Sequence, residues 1–388
     1  MKRILSILFL LSLLLVSCNG PAASAPTSVS VEDTPAPYPD TPSPPEINAP
    51  LVETPSLISI QFVNSLDGWG VTETQIVRTN DGGITWYNVT PQDVTETGFG
   101  VDIFVLDKDH AWVHMPNFDN FPNSGFLYQT TDGGLAWTVS NTPFSRGRVK
   151  FLDESNGWVL ADLGVGAGSN AVAVYQTVDG GKEWHQTFIN DPNNANASDS
   201  LPLGGIKYGL ASPNMNSAWV YGIVYAPGYS YLYRTQNAGY LWEQVEIPLP
   251  PGAEAAELTI EQVRFVTAND AFLTMRITSD SINLAVYTSN DGGNTWALTP
   301  TLIPDGGSAD FLSAQEAVIY NGNQFYVTRD AGRTWSIIPP DVNFSDTFLV
   351  MDFSDLNTGW VITIDPTTNH RSLYKTGDGG ATWFPIVE

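Results

Sequence analysis

The sequence is short of cysteine and of basic residues. Cys18 is the only cysteine among 388 residues, so the chain cannot form an internal disulfide. The chain has 16 Lys and Arg against 41 Asp and Glu, which gives a formal net charge of −25 at pH 7. Such a charge repels phosphate backbones and anionic lipid headgroups. The composition therefore argues against nucleic acid as a partner and against direct adhesion of the folded domain to an anionic membrane.

Long apolar runs are also scarce, and the one that stands out lies at the start of the chain. Residues 4–16 are apolar except for Ser6 and Ser12, follow Lys2 and Arg3, and are too few to span a membrane. The run ends in "LVSC", which resembles a bacterial lipobox. We interpret residues 1–17 as a lipoprotein signal peptide and Cys18 as the lipidated residue, which predicts an extracytoplasmic protein anchored to the bacterial cell membrane. An ordinary signal peptide with an incidental cysteine is the alternative.

Residues 18–55 have the composition of a linker. Ten prolines lie there amid Ala, Ser and Thr. Such a segment cannot bury enough apolar surface to fold, and its prolines favour extended polyproline conformations. We predict a disordered tether that lets the folded domain stand away from the membrane.

An eight-residue segment recurs seven times at a spacing of about 50 residues, the period of a propeller blade. We call these segments the Asp turns. They are "TNDGGITW" at 79, "TTDGGLAW" at 130, "TVDGGKEW" at 177, "TQNAGYLW" at 235, "SNDGGNTW" at 289, "TRDAGRTW" at 328 and "TGDGGATW" at 376.

Comparison of the copies indicates what each position of the turn requires. The fifth position is always Gly, which predicts a positive φ there, whereas the fourth tolerates Ala. The third position is an acceptor in every copy but not always a charge, which indicates hydrogen bonds to the turn's own backbone and argues against calcium. We therefore predict a structural role, without metal or cofactor, for Asp81, Asp132, Asp179, Asn237, Asp291, Asp330 and Asp378.

A second template precedes each Asp turn, as in "FVNSLDGW" (62–69) and "FSDLNTGW" (353–360). Together the two templates predict four short antiparallel strands per repeat. The Asp turn resembles the Asp-box of sialidases and sortilin-type receptors, and the pair of templates resembles the photosystem II assembly factor propellers. The resemblance implies an all-β, seven-bladed propeller of four-stranded antiparallel blades in residues 56–388. The expected blades are 57–91, 99–141, 147–190, 205–248, 258–300, 308–340 and 347–388.

All twelve Trp fall on the two templates, either at the end of an Asp turn or at the start of the second strand. Their expected role is packing within and between blades. Because successive strands alternate in direction, the turns of constant length share one face of the ring. The loops of variable length share the other face, which we call the variable face, and function on a rigid scaffold favours such loops.

Several side chains of the variable loops have no role in the repeat and could grip a partner. These candidate binding residues are Phe118, Phe121, Arg146, Arg148, Tyr225, Tyr229, His370 and Arg371. The alternative is that each covers local core or is merely solvated. The favoured function is a non-catalytic binding or assembly scaffold for a protein or surface polymer. The photosystem family resemblance implies help in assembling a membrane complex, although its arginine-rich client patch is not evident in this arginine-poor chain.

The rival function is a glycan-processing hydrolase. Asp119, Asp162 and Asp365 lie on variable loops and could supply paired carboxylates. The sequence has no sialidase-type R-I-P stretch near its start and no G-x-S-x-G elbow, and His110 and His114 stand too far apart on one strand to form a metal site. We therefore assign no catalytic residue.

Overall fold

The computed structural model describes residues 47–98 and 100–387, so the signal peptide, Cys18 and the tether up to residue 46 lie outside the described residues. The described chain consists of 29 β-strands and one short 3-10 helix, Phe118–Asn120. Within it, no helix is both long enough and apolar enough to cross a membrane.

The strands follow one another around a β-propeller and pair with antiparallel neighbours. Blade I contains β1 Leu51–Val52, β2 Ser59–Phe62, β3 Gly68–Val71, β4 Ile76–Thr79 and β5 Trp86–Asn88. Blade II contains β6 Asp102–Val105, β7 Ala111–Pro116, β8 Gly125–Thr130 and β9 Thr138–Thr142. Blade III contains β10 Gly147–Phe151, β11 Gly157–Gly166, β12 Ser169–Thr177 and β13 His185–Ile189.

An eight-stranded sheet follows blade III. It contains β14 Ile206–Ala211, β15 Ala218–Ile223, β16 Tyr231–Thr235, β17 Glu243–Gln244, β18 Glu257–Phe265, β19 Ala271–Thr278, β20 Ile282–Ser289 and β21 Ala297–Pro304. Blade IV contains β22 Ser308–Phe311, β23 Ala317–Tyr320, β24 Phe325–Thr328 and β25 Ser336–Ile338. Blade V contains β26 Phe348–Phe353, β27 Gly359–Ile364, β28 Arg371–Thr376 and β29 Phe384–Val387.

The prediction of seven separate blades is wrong, because the structure has five separate blades and one eight-stranded sheet. The two halves of that sheet are joined where Ile223, at the end of β15, pairs with Thr259 of β18. Strand β18 is nine residues long and its register shifts between Ile260 and Gln262, which brings its first half beside β15. Each half still carries one Asp turn.

The core lies between neighbouring blades rather than within any one of them. One cluster joins Trp112 and Leu127 of blade II to Phe151 and Tyr175 of blade III. The Trp112 and Phe151 rings stack with their centroids 3.9 Å apart. Nine of the twelve Trp are buried and the other three are half-buried, so aromatic packing between sheets stabilises the ring.

The ring closes by direct packing of blade V against blade I. The Phe62 and Trp360 rings stack with centroids 3.5 Å apart, and Trp360 Nε1 donates to the Gly82 carbonyl over 2.9 Å. The Phe62 amide also donates to the Asp352 carboxylate. On the far side of blade I, Leu51 pairs with Tyr87, so the segment before the first repeat adds an outer edge strand.

Candidate functional site

The seven Asp turns share one hydrogen-bond pattern. In the first turn, the Thr79 hydroxyl donates to Asp81 Oδ1 over 2.8 Å, and the Gly83 amide donates to that hydroxyl over 3.0 Å. The Thr85 amide donates to Asp81 Oδ1 over 2.9 Å. Corresponding hydrogen bonds occur at Asp132, Asp179, Asn237, Asp291, Asp330 and Asp378.

The Asp turns are also tied to the first turn of their own repeats. The amide at the fourth position donates to a carbonyl there, as from Gly82 to Leu66 over 2.8 Å and from Ala238 to Asn216 over 2.9 Å. The two constant turns therefore lie on one face of the ring. The acceptors of the Asp turns are used by the chain itself, and the Thr334 side chain and amide lower the pKa of Asp330. Among the described residues, no group of three or more His, Cys, Asp or Glu could hold a metal ion.

The fourth and fifth positions of the Asp turn both have positive φ. At the fourth position φ is 60° at Ala238 and 59° at Ala331, within the left-handed region that Ala can enter at a cost. At the fifth position the neighbouring blade also fills the space. A Cβ on Gly181 would lie 2.3 Å from Leu127, and one on Gly239 would lie 2.5 Å from Thr187.

On the variable face, three of the candidate binding residues lie together. The Arg146 guanidinium carbon lies 5.6 Å from the centre of the Phe121 ring. A Cβ on Gly100 would lie 3.2 Å from Phe118 and 3.6 Å from Arg146. Arg146 Nε donates to Asp162 over 3.0 Å, so this arginine is paired within the chain.

Arg148 lies where two cavities meet on the variable face. A cavity of about 930 Å³ opens at the mouth of the central channel, lined by residues such as Tyr221, Arg276 and Tyr320. A cavity of about 470 Å³ lies beside it, lined among others by Arg146 and Lys207. Arg148 and Tyr208 line both cavities. We call the two cavities together the mouth cleft.

The remaining candidate binding residues lie at the rim of the mouth cleft or away from it. A Cβ on Gly168 would lie 3.2 Å from the exposed Tyr225, while Tyr229 lines a separate cavity of about 260 Å³. Arg371 Nη1 donates to Ser56 over 3.2 Å and to Glu73 over 3.3 Å, and it lines another cavity. His370 is exposed on the same loop as Arg371. The eight residues therefore do not form a single patch.

The three carboxylates of the rival hydrolase hypothesis have different surroundings. Asp119 lies in the 3-10 helix, and Asp162 pairs with Arg146. Asp365 accepts the amides of Thr367 and Thr368, and those hydrogen bonds lower its pKa. Of the three, only Asp162 lines the mouth cleft.

The two histidines have separate environments as well. His110 Nδ1 lies 2.9 Å from Asp107 and its Nε2 lies 3.5 Å from Glu154. His114 is fully buried beside Phe144, and burial lowers its pKa to about 4.

Sequence reasoning missed a ring of side chains inside the channel. In each repeat, the first residue of the second template lies on the innermost strand and is buried or half-buried. Because side chains alternate along a strand, the residue just before it points to the other side, toward the channel. We call this set the waist. Its members are Gln61, Phe104, Lys150, Gly209, Arg264, Asp310 and Asp352.

Carboxylates of the innermost strands connect neighbouring blades through backbone amides. Asp310 accepts the Phe353 amide over 3.0 Å, Asp352 accepts the Phe62 amide, and Asp102 accepts the Val149 amide over 2.8 Å. Burial raises the pKa of Asp102 to about 6 and that of Asp352 to about 7. Burial and the charge of Asp352 raise the pKa of Asp310. Asp310 and Asp352 share one position in the repeat, directly before the second template, whereas Asp102 lies two residues earlier in its own repeat.

Comparison with known proteins identifies relatives with different activities. No protein-family model matches the chain. A xyloglucanase of Hypocrea jecorina (strain QM6a) is 23% identical over 360 residues, and the match covers 80% of this chain and 36% of that enzyme. The chain thus spans about a third of the length of this curated relative.

Solved structures show the same fold. The structure of YCF48 bound to D1 peptide superposes with a TM-score of 0.51 at 16% identity, covering 84% of this chain and 95% of that chain. A GH74 xyloglucanase from Xanthomonas campestris superposes with a TM-score of 0.57 at 12% identity, covering 87% of this chain and 55% of that chain. At these identities the similarity establishes a β-propeller fold and leaves the activity open.

Proposed function

We propose that this chain is a non-catalytic binding propeller, anchored outside the cytoplasm through lipid on Cys18, that holds a segment of a client protein in the mouth cleft. The observation that carries the proposal is the junction of two cavities at Arg148 and Tyr208. Exposed Phe118 and Tyr225 stand near the cleft and offer apolar contact area. The similarity to YCF48, which was solved with a D1 peptide, supports a peptide as the ligand.

A photo-cross-linking amino acid at Tyr208 tests where the client binds. We expect cross-linked client peptides from envelope extracts with the probe at position 208 and none with the probe at Tyr240. Tyr240 is also exposed but lies in an Asp turn on the opposite face. Equal labelling from both positions would contradict the proposed site. A D1 peptide is the first defined client to titrate, because the photosystem family resemblance makes an assembly role the specific form of this proposal.

Lipid anchoring has its own test. Cys18→Ser is expected to abolish incorporation of radiolabelled palmitate and to move the protein from the membrane fraction to the soluble fraction. Retention of label by the serine variant would show that the lipid, if any, is attached elsewhere.

The similarity to a xyloglucanase favours glycan hydrolysis as the second candidate function. Incubation with xyloglucan and a glycan panel should release no reducing sugar if the protein only binds. Release of sugar that is lost in Asp119→Ala, Asp162→Ala or Asp365→Ala would replace the binding proposal with the hydrolase.

A further inference from the structure

Three basic side chains at and beside strand β10 lie on the channel side of blade III. Arg146 just precedes β10, and Arg148 and Lys150 follow at two-residue intervals, so their side chains share the face that the alternating buried residues leave free. Arg146 is paired with Asp162, and Arg148 Nη1 lies 3.7 Å from Asp102. Lys150 is the deepest of the three and belongs to the waist.

Lys150 has no salt bridge and no hydrogen bond from its ammonium within the described part of the chain. Its Nζ lies 5.2 Å from the centre of the Phe104 ring. Burial, and secondarily the positive charge of Arg264, lower the pKa of Lys150 to about 8. Lys150 is half-buried, and partly withdrawing an ammonium from water without a partner is unfavourable, so this position favours a compensating anion.

Arg264 reaches the same region from β18 and is likewise without a salt bridge among the described residues. Arg264 is exposed, like Arg333 on its Asp turn, but it lies on an innermost strand and is close enough to Lys150 to lower the pKa of that amine. Lys150 and Arg264 repel each other within the channel of an otherwise acidic chain. A bound oxyanion would reduce this repulsion.

The carboxylates that face Arg264 only partly neutralise it. Arg264 lowers the pKa values of Asp310 and Asp352 by Coulomb attraction, but burial outweighs this effect and keeps both pKa values raised. Around neutral pH the two carboxylates therefore carry less than two negative charges. Both also accept backbone amides of the next blade, which holds them at the blade seams.

We propose that the waist between Lys150 and Arg264 is an oxyanion site that takes a carboxylate group entering through the mouth cleft past Arg148. In the cell the carboxylate would belong to the client segment, and this part rests on the proposed function. The site itself depends only on the channel side chains, so a small carboxylate suffices to test it.

The first test follows the Lys150 amine by NMR in lysine-labelled protein, with Lys150→Met used to assign its signal. A bound carboxylate stabilises the ammonium, so acetate should raise the pKa of Lys150 by at least about half a unit relative to chloride at equal ionic strength. Acetamide should have no effect, and the exposed Lys108, which is paired with Asp109, should not respond to acetate. The same response to acetate and chloride would overturn the proposal, and this comparison is made on the wild-type protein once the signal is assigned.

The second test measures affinity and identifies the source of the carboxylate. An acidic peptide is titrated against its fully amidated counterpart, and an oligogalacturonate against a neutral oligosaccharide. We expect tighter binding of the acidic peptide, weakened at least about tenfold by Lys150→Met or Arg264→Gln and unchanged by Lys108→Met. Binding of the oligogalacturonate alone would overturn the assignment to a peptide. A response of Lys150 to acetate without binding of any peptide would refute the proposed function and leave the oxyanion site standing.

Discussion

At the scale of the residue, the two central positions of the Asp turn differ in what surrounds them. Both have positive φ, but a Cβ at the fourth position would meet backbone carbonyls of its own repeat or the flexible ends of side chains such as Lys375 and Arg78, whereas one at the fifth would meet packed side chains of the neighbouring blade. A Cβ on Gly292 would meet only the Ala268 carbonyl, at 3.4 Å, whereas a Cβ on Gly181 would lie 2.3 Å from Leu127. This difference explains why Ala238 and Ala331 occur only at the fourth position.

We expect Gly292→Ala to lower the free energy of unfolding by about 1 kcal/mol, the cost of a left-handed alanine. Gly181→Ala carries the same cost and also overpacks the interface with Leu127, for a loss of about 3 kcal/mol or more. Urea denaturation followed by tryptophan fluorescence measures both variants. Equal losses would show that φ alone, and not the neighbouring blade, excludes side chains at the fifth position.

The sequence predicted the positive φ of the fifth position, because seven aligned copies show which residue types each position accepts. It did not reveal the positive φ of the fourth, because Ala occurs there and Ala is not a usual left-handed residue. Leu127 as the obstacle to a Cβ on Gly181 was also beyond prediction, since that contact comes from another repeat.

At the scale of the element, the seam between blades V and I depends on Trp360. Its ring stacks on Phe62 and its Nε1 donates to the Gly82 carbonyl across the seam. Trp219 occupies the equivalent position in its own repeat and is also buried, but its Nε1 has no partner within the described residues. Comparing the two tryptophans therefore distinguishes the contribution of the hydrogen bond to stability from that of ring packing.

We expect Trp360→Phe to destabilise the protein by about 1–2 kcal/mol more than Trp219→Phe, because it removes a buried hydrogen bond as well as ring volume. Thermal unfolding of both variants at one pH measures the difference. Similar midpoints for the two variants would mean that the hydrogen bond across the seam adds nothing beyond packing.

The strands themselves could be predicted from the sequence, because each tryptophan and each Asp turn marks a strand boundary. The fusion of two repeats into the eight-stranded sheet could not. The pairing of Ile223 with Thr259 depends on a register shift in β18, and that shift follows from backbone geometry rather than from a pattern of apolar residues.

At the scale of the whole molecule, the innermost carboxylates make the stability of the ring depend on pH. Burial raises the pKa of Asp352 to about 7 from 3.8, so the folded protein binds more protons than the unfolded chain between these values. The contribution of Asp352 to stability is therefore greatest at low pH and is lost as pH rises through about 7. Other groups, such as His114, contribute with the opposite sign at lower pH.

Comparison with Asp352→Asn isolates this effect, because asparagine keeps an acceptor for the Phe62 amide and cannot ionise. We expect the variant to be more stable than the wild type at pH 8, by a few kcal/mol at most, and to lose most of this advantage at pH 5. Thermal midpoints of both proteins across this range give the result. A difference that does not change with pH would show that Asp352 is not protonated in the folded ring.

The proximity of the waist side chains in the channel could not be predicted from the sequence. Lys150, Arg264 and Asp352 lie far apart along the chain, at one repeat position that carries six different residue types in the seven repeats. Their proximity follows only from the closure of the ring, which places equivalent positions of all innermost strands around one axis. The variable loops are visible in the sequence because their lengths differ between repeats. The waist position directly precedes the second template in every repeat and differs only in residue type.

The pairing of Ile223 with Thr259 makes the junction between the two halves of the eight-stranded sheet different from the seam between blades V and I. The two halves of the eight-stranded sheet share a backbone pair, whereas the seam between blades V and I is held by the side chains of Phe62 and Trp360. Tyr208, Tyr221 and Arg276 line the mouth cleft from the eight-stranded sheet, while Tyr320 and Phe348 line it from the separate blades IV and V. We therefore expect the side of the cleft formed by the eight-stranded sheet to keep its position when a ligand binds. Any change in the width of the cleft should come from the separate blades.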